Sequence, residues 1–371
     1  MRVFLQKLFS ESIIKLANKY SSRPDPLRVH AALSSLFNSI LKDQGKQGLM
    51  LDFHSDSKLI IFSDQHKGNR NHSDDFALSE KNYLAALQYY NEQQFLFCSL
   101  GDSEEFWKYP VWSVLKHNKA TFEQEAKFLR RDAFFKVFGN HDLYWDNDPL
   151  AGYHLEKVYG KKLKIYEGMI LRIPIQERTL AIFLTHGHQG DLQSDGNWFS
   201  KWFVSNVWAP FQAYLRINPN TPAFDNQLKS AHNAIMYDWT AQQTGMALIT
   251  GHTHQPVFNS LTHLERTYIR LEEARKNGWQ DIVQQLEAEL IAGKISGDTS
   301  PRQAYSKNTY FNTGCCCFND GDITGIEIEA GKIRLIKWKF IKDQGAKRFV
   351  LEETELSNLL DPLLDPKSTA L

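Results

Sequence analysis

Five short phrases in this sequence carry residues able to do metal chemistry. They are Asp64-Gln65-His66, Gly101-Asp102, Gly139-Asn140-His141-Asp142, His186-Gly187-His188 and Gly251-His252-Thr253-His254. Six of the thirteen histidines fall inside them, so the imidazoles are concentrated rather than scattered. Carboxylate, carboxamide and imidazole donors without a thiolate suit a pair of divalent cations of borderline hardness. Buried without metal, two carboxylates and several imidazoles would each carry a large desolvation cost, so a purely structural role would need a partner for every one of them. A lone histidine is usually a satisfied core or surface residue; a set of this size and order is not.

The elements that must position these residues are visible just before them. Apolar runs at 58–63, 94–100, 134–138, 180–185 and 247–250 each stop abruptly in one of the phrases. They read as buried strands delivering polar residues at their C-terminal ends, where α/β sheets place active sites. Asp64 to Asp102 and Asp102 to Asn140 are both intervals of 38 residues, enough for a crossover helix and a return strand. Helical patterns at 78–91, with Tyr83, Leu84, Leu87 and Tyr90 on one face, and at 121–131 supply the crossovers. The fold class is α/β.

In this order the five phrases resemble those of the calcineurin-like metallophosphoesterases, over residues 58–338. The resemblance implies two packed mixed β-sheets flanked by helices. It implies one metal held by Asp64, His66 and His254, a second by Asn140, His186 and His252, and Asp102 bridging them. The cofactors would be two divalent ions, with manganese expected and Fe, Zn or Co tolerated by the same donors. Two such cations about 3.5–4 Å apart clamp a phosphate and acidify a shared water, so that a bridging hydroxide attacks phosphorus in line near neutral pH. His141 would face the leaving oxygen, and Asp142 would fix its tautomer and orientation. His188 is either a supporting neighbour of the ligands or a residue of the turn. Asp191 would hydrogen-bond a ligand imidazole or be an exposed turn residue.

Within that family, Gly101-Asp102-Ser103-Glu104-Glu105-Phe106-Trp107 and His186-Gly187-His188 look most like the branch containing UDP-diacylglucosamine hydrolases. Those enzymes cleave a pyrophosphate in a nucleotide-linked lipid and carry a helical insertion near the site. The chain departs from that branch in having His141 where the lipid-A enzyme typically has Arg, and in its greater length.

Composition bounds the alternatives. Lys plus Arg and Asp plus Glu both number 43, giving zero formal charge, which argues against long nucleic acid as the partner. Charged residues at 23% and hydrophobic ones at 42% describe an ordinary globular chain. Cys98 and the run Cys315, Cys316, Cys317 match neither a zinc knuckle nor a disulfide framework, so a reduced, cytoplasmic setting is expected. The run would alternate faces of a closing strand after Asn312-Thr313-Gly314, as small buried residues. No apolar run approaches the roughly 18–20 residues of a membrane span. Residues 1–20 read as a helix with Phe4, Leu5, Leu8, Phe9 and Ile13 at helical spacing, packed on the domain, with peripheral membrane contact as the alternative.

The expected organisation is an N-terminal helical segment at 1–48, a phosphoesterase domain at 49–340 and a tail at 341–371. Helical insertions are expected at about 192–244 and 261–295. The first holds Trp198, Phe199, Trp202, Phe203, Trp208, Phe211 and Tyr214, which either pack it onto the domain or form a groove or lid for an acyl chain. The second reads as a helical hairpin turned at Asn277-Gly278. One packed face would be Leu264, Tyr268 and Leu271, the other Trp279, Ile282, Val283, Leu286 and Leu290. Its charges form a solvated face or a partner contact. Residues 323–328 and 333–340 read as a β-hairpin, and the tail from Ile341, which lacks strong patterning until 351–364, as a short terminal helix or disorder. In the basic stretch Lys67-Gly68-Asn69-Arg70-Asn71, Arg70 would grip a phosphoryl oxygen or belong to an ordinary loop. Trp107, Tyr144 and Trp145 would stack a base or sugar, or pack the core. With His188, Arg70, Trp107 and Tyr144 are the expected substrate contacts.

The function expected is dinuclear metal-dependent hydrolysis of a phosphodiester or pyrophosphate bond in a small nucleotide- or lipid-linked substrate. The rivals are a cyclic-nucleotide phosphodiesterase or nuclease, a phosphomonoesterase, and an inactive protein-binding scaffold. Leaving group, metal identity and oligomeric state are not encoded in these patterns.

Overall fold

The computed structural model describes residues 25–54, 56–190, 226–295 and 309–360. The expected helix at 1–20, the aromatic residues at 198–214 and Asp191 lie outside the described residues.

The strands, in chain order, are β1 (Gly48–Asp52), β2 (Leu59–Phe62), β3 (Leu96–Leu100), β4 (Phe134–Val137), β5 (Ile165–Tyr166), β6 (Gly168–Ile175) and β7 (Arg178–Thr185). They continue as β8 (Met246–Thr250), β9 (Val257–Phe258), β10 (Leu261–Thr262), β11 (Tyr310–Asn312), β12 (Ile323–Glu329), β13 (Lys332–Ile341) and β14 (Gly345–Glu355). Among the described residues they form two seven-stranded sheets, ordered β1-β6-β7-β8-β11-β9-β10 and β14-β13-β12-β2-β3-β4-β5. Both are mixed. β2, β3 and β4 run parallel side by side in one, and β7 and β8 run parallel in the other.

The sheets pack face to face with helices on both outer faces. All four residues of β2 are buried because both sides of that strand are covered. Leu59 and Ile61 face the layer between the sheets, with Cys98, Leu171, Ile182 and Ile249. Ile60 and Phe62 face outward, under α2 (Glu80–Glu92), α3 (Lys119–Arg130) and α4 (Ala151–Tyr159). The other sheet is covered by α1 (Pro26–Lys42) and α5 (Asn226–Ala241). Asp25 caps α1 by accepting from the Arg28 amide at 3.0 Å, with Pro26 at its first turn, and Val29, Leu33, Leu36 and Ile40 form its buried stripe.

Three expectations change. The tail does not begin as helix or disorder: residues 345–355 form β14, antiparallel to β13, followed by a short 3₁₀ turn at Leu356–Leu359. β14 is an edge strand with most side chains exposed, so it carries no burial alternation; backbone pairing and cross-strand ion pairs such as Lys332 with Glu353 and Arg334 with Glu353 define it. The cysteine run is not in a strand, since β11 stops at Asn312 and Cys315–Cys317 follow in a buried loop. The insertion at 261–295 is a hairpin of α6 (His263–Lys276) and α7 (Gln280–Ile295), turned at Gly278 with φ +71°. Its contact is made by Leu271, Ala274, Leu286 and Leu290, while Trp279 and Ile282 are exposed instead of packed.

Candidate metal centre

The C-terminal ends of β2, β3 and β4 meet those of β7 and β8 where the two sheets come together. Backbone bonds fix the turns to one another: the His66 amide donates to the Asp102 carbonyl at 2.9 Å, and the Gly251 amide to the His186 carbonyl at 3.0 Å. Asn312 locks the last turn by donating to the Gly251 carbonyl at 2.6 Å and to Thr253 Oγ1 at 3.2 Å. Asp64, His66, Asp102, His252 and His254 all have φ between +49° and +69°. Side chains other than glycine adopt that left-handed conformation at a cost, so five at one place mark a function that the surrounding fold sustains. Gly139 and Gly251 approach so closely that a methyl group on either would overlap the carboxylates of Asp102 and Asp64 respectively.

These turns aim their donors at a common point. Asp64 Oδ1 lies 3.2 Å from His254 Nε2, 3.8 Å from His66 Nε2 and 4.0 Å from His186 Nε2. Asp102 Oδ2 lies 3.1 Å from His186 Nε2 and 3.8 Å from His66 Nε2. Of the donor-atom clusters among the described residues, two share the Asp102 carboxylate: Asp64, His66 and Asp102 form one, and Asp102, His186 and His252 the other. Asn140 is buried beside them, and its Oδ1 has no hydrogen-bond partner. His66 Nε2 and His254 Nε2 face each other at 3.2 Å. An orphaned buried carboxamide oxygen, converging imidazole nitrogens and two carboxylates are the donor set a pair of divalent cations requires, so the residues present fit the metals.

The outer nitrogens of the imidazoles are also engaged. His186 Nδ1 donates to the Leu100 carbonyl at 2.9 Å, which leaves Nε2 as the nitrogen facing inward. Burial pushes the Asp64 carboxyl up, but the His254 and His186 imidazoles overcome that and hold it well below the usual range. Asp102 is likewise lowered, its desolvation outweighed by His186 and His141. Burial would depress His186 and His254, yet Asp102 raises the first to about 9 and Asp64 the second to about 9. His252 and His188 go the other way, lowered by burial and by neighbouring imidazoles, His188 to about 3. The centre is thus two anionic carboxylates inside a ring of imidazoles.

The calcineurin-like phosphoesterase family model matches residues 57–256, which include all five phrases. The chain belongs to this family. It is a metal-dependent phosphoric ester hydrolase. No curated protein matches the sequence. Similar solved structures include vacuolar protein sorting 29 from Cryptosporidium parvum, at 11% identity, covering 81% of this chain and 98% of that one, with a TM-score of 0.30. Another is a dimetal phosphatase from Danio rerio, at 8% identity, covering 79% and 98%, with a TM-score of 0.33. A third is a cold-active protein-tyrosine phosphatase from a psychrophilic Shewanella, at 12% identity, covering 81% and 82%, with a TM-score of 0.31.

In this phosphoesterase, His141 sits at the rim of the centre, its ring 4.6 Å from that of His66. Its orienting partner is not Asp142. Both Asp142 oxygens are taken by backbone amides, Gly139 at 2.5 Å and Ser103 at 2.9 Å, so that carboxylate ties two catalytic turns together. Burial pushes Asp142 up to about 6. The partner is Glu105, whose Oε1 lies 2.8 Å from His141 Nδ1 and whose Oε2 lies 3.2 Å from His66 Nδ1. A second carboxylate three residues after Asp102 was the only sequence signal for this role. Trp107 stacks on His141 at 4.3 Å with rings 16° apart and donates Nε1 to the Asn140 carbonyl at 2.7 Å. A cleft of about 280 Å³ opens there, lined by Phe106, Trp107, Val111, His141, Leu143 and Tyr144 among others. His188 is buried 5.5 Å from the His186 ring, while Trp145 is a core residue donating to Glu104 Oε2 at 2.6 Å.

The basic stretch after His66 does not reach for phosphate. Lys67 is wholly buried and paired with Glu125 at 2.6 Å and Glu104 at 3.2 Å. The Arg70 guanidinium is held by Glu80, by Asn118 Oδ1 at 2.9 Å and by the His117 carbonyl at 3.3 Å. Arg70 therefore secures a loop. Arg70→Ala should leave KM for a phosphate ester within about twofold and destabilise the fold by about 1–2 kcal/mol, read as a lower Tm. A tenfold rise in KM with an unchanged Tm would restore the phosphate role.

Proposed function

We propose that this phosphoesterase hydrolyses a phosphodiester or pyrophosphate bond in a small nucleotide- or lipid-linked substrate, in the cytoplasm. The observation that carries the bond type is the state of the nearby cations. Among the described residues, Lys67, Arg70, Lys108 and Lys136 are each paired with a carboxylate. None of these is available to neutralise the second charge of a monoester, which favours a singly charged phosphoryl centre. The organic cleft beside His141 supports a leaving group with an apolar or ring-bearing part.

In this reading Asp64, His66 and His254 hold one cation, Asn140, His186 and His252 hold the other, and Asp102 is shared. Two divalent ions, manganese first among the candidates, would supply Lewis acidity and acidify water when bound. The protein's own contribution is positional. His141, oriented by Glu105, presents Nε2 toward the leaving oxygen to hydrogen-bond it and donate a proton. Trp107 and Tyr144 flank the departing group, and His188 packs behind His186. Among the described residues no helix is long and apolar enough to cross a membrane.

The test is turnover of bis-p-nitrophenyl phosphate against p-nitrophenyl phosphate in saturating Mn²⁺. The expected result is a diester preference of at least about tenfold in kcat/KM, a difference of roughly 1.4 kcal/mol. A preference for the monoester would replace this reading with a phosphomonoesterase. UDP-linked diacyl sugars and cyclic nucleotides are the next substrates to compare.

A further inference from the structure

The ligand imidazoles differ in what stands behind them. His186 Nδ1 has a backbone carbonyl and His66 Nδ1 a carboxylate, the ordinary supports of a metal-binding histidine. His254 Nδ1 instead lies 3.7 Å from the Sγ of Cys317. Cys315, in the same buried loop, stands close enough to interact with both His254 and Cys317. The two thiols are 1% and 7% exposed, so water does not take their place. Their loop is anchored at the centre, because the Cys316 amide donates to the Asp64 carbonyl at 3.2 Å. The side chain between them, Cys316, turns the other way into the apolar layer with Phe62 and Trp338. The mechanism gives none of these sulfurs a task.

We propose that Cys317, backed by Cys315, is the positioning residue of His254: its sulfur accepts the Nδ1 proton and so directs the Nε2 lone pair at Asp64 and His66. The directed nitrogen is the one found 3.2 Å from Asp64 Oδ1 and 3.2 Å from His66 Nε2. This rests on the metal-ligand reading above and adds an asymmetry to it. A thiol is a weak acceptor compared with a carbonyl or carboxylate. The half-site containing His254 is therefore the less firmly organised of the two, and its affinity depends on sulfur that the other half-site does not use.

The experiment is Mn²⁺ titration of the full chain, with free ion read by electron paramagnetic resonance and bound ion counted by mass spectrometry. The native chain, the double variant Cys315→Ala/Cys317→Ala and the single variant Cys317→Ser are compared. The double variant should bind one Mn²⁺ as the native chain does and the other about 10–100-fold more weakly. Cys317→Ser, which keeps an acceptor of similar size, should fall within a few-fold of native. Loss of both sites together would mean a folding defect, and unchanged binding of both would mean that the thiols do not act on His254; either overturns the proposal. A native chain that binds no divalent ion from a Mn, Fe, Co and Zn panel would overturn the metal-ligand reading, and this proposal with it.

Discussion

Asp102→Asn is expected to lower metal-dependent turnover by about 10³-fold or more, because it withdraws the one carboxylate common to both donor clusters. The substitution is chosen to separate charge from shape. Asp102 Oδ1 accepts the His141 amide at 2.8 Å, and an asparagine carbonyl can still do so. What it cannot do is present an anion 3.1 Å from His186 Nε2 and 3.8 Å from His66 Nε2. The turn should therefore keep its form while the centre loses half of its negative charge, leaving Asp64 alone among the four ligand imidazoles. Two measurements check this: kcat/KM on bis-p-nitrophenyl phosphate in saturating Mn²⁺, and bound metal per chain, which should fall from two to one or fewer. Activity within tenfold of native, with two metals still bound, would show that Asp102 is not shared between the half-sites.

Much of this centre could be read from the chain because its architecture concentrates information at strand ends. A strand buried on both faces must be a short apolar run, and the turn after it must hold whatever polar chemistry the sheet delivers, so β2, β3, β4, β7 and β8 announced themselves by where their apolar runs stopped. What could not be read falls into three physical kinds. Arg70 and Lys67 looked free because their partners, Glu80, Asn118, Glu104 and Glu125, come from crossover helices and a neighbouring turn, and only the packed fold brings them within bonding distance. β14 was invisible for the opposite reason. It lies at an edge, buries little, and is defined by backbone pairing that leaves no mark on residue type. Asp142 shows a third limit: adjacency to His141 suggested contact, but the two side chains leave the turn in different directions, one into backbone amides and the other toward Glu105.

That last assignment carries the second large effect. Glu105→Gln is expected to lower kcat by about 10²–10³-fold, within the range that a positioned general acid contributes. The native carboxylate offers two acceptors to two imidazole nitrogens, His141 Nδ1 at 2.8 Å and His66 Nδ1 at 3.2 Å, and a third interaction to Lys108 Nζ at 3.5 Å. Burial works against its charge, but His141 and Lys108 hold the carboxyl well below the usual range, so it is an anion in the folded protein. A glutamine has one acceptor oxygen and one donor group, so one imidazole must face an N–H and rotate or change tautomer. If the displaced ring is His141, the loss grows as the leaving group becomes more basic, since an alkoxide needs a proton and p-nitrophenolate does not. If it is His66, all leaving groups suffer alike through weaker metal binding. Aryl diesters of graded phenol pKa, run at saturating Mn²⁺ with native and Glu105→Gln proteins, distinguish the two. A steeper dependence of log kcat on leaving-group pKa in the variant is the expected result, and parallel lines would assign Glu105 to the metal side of the centre.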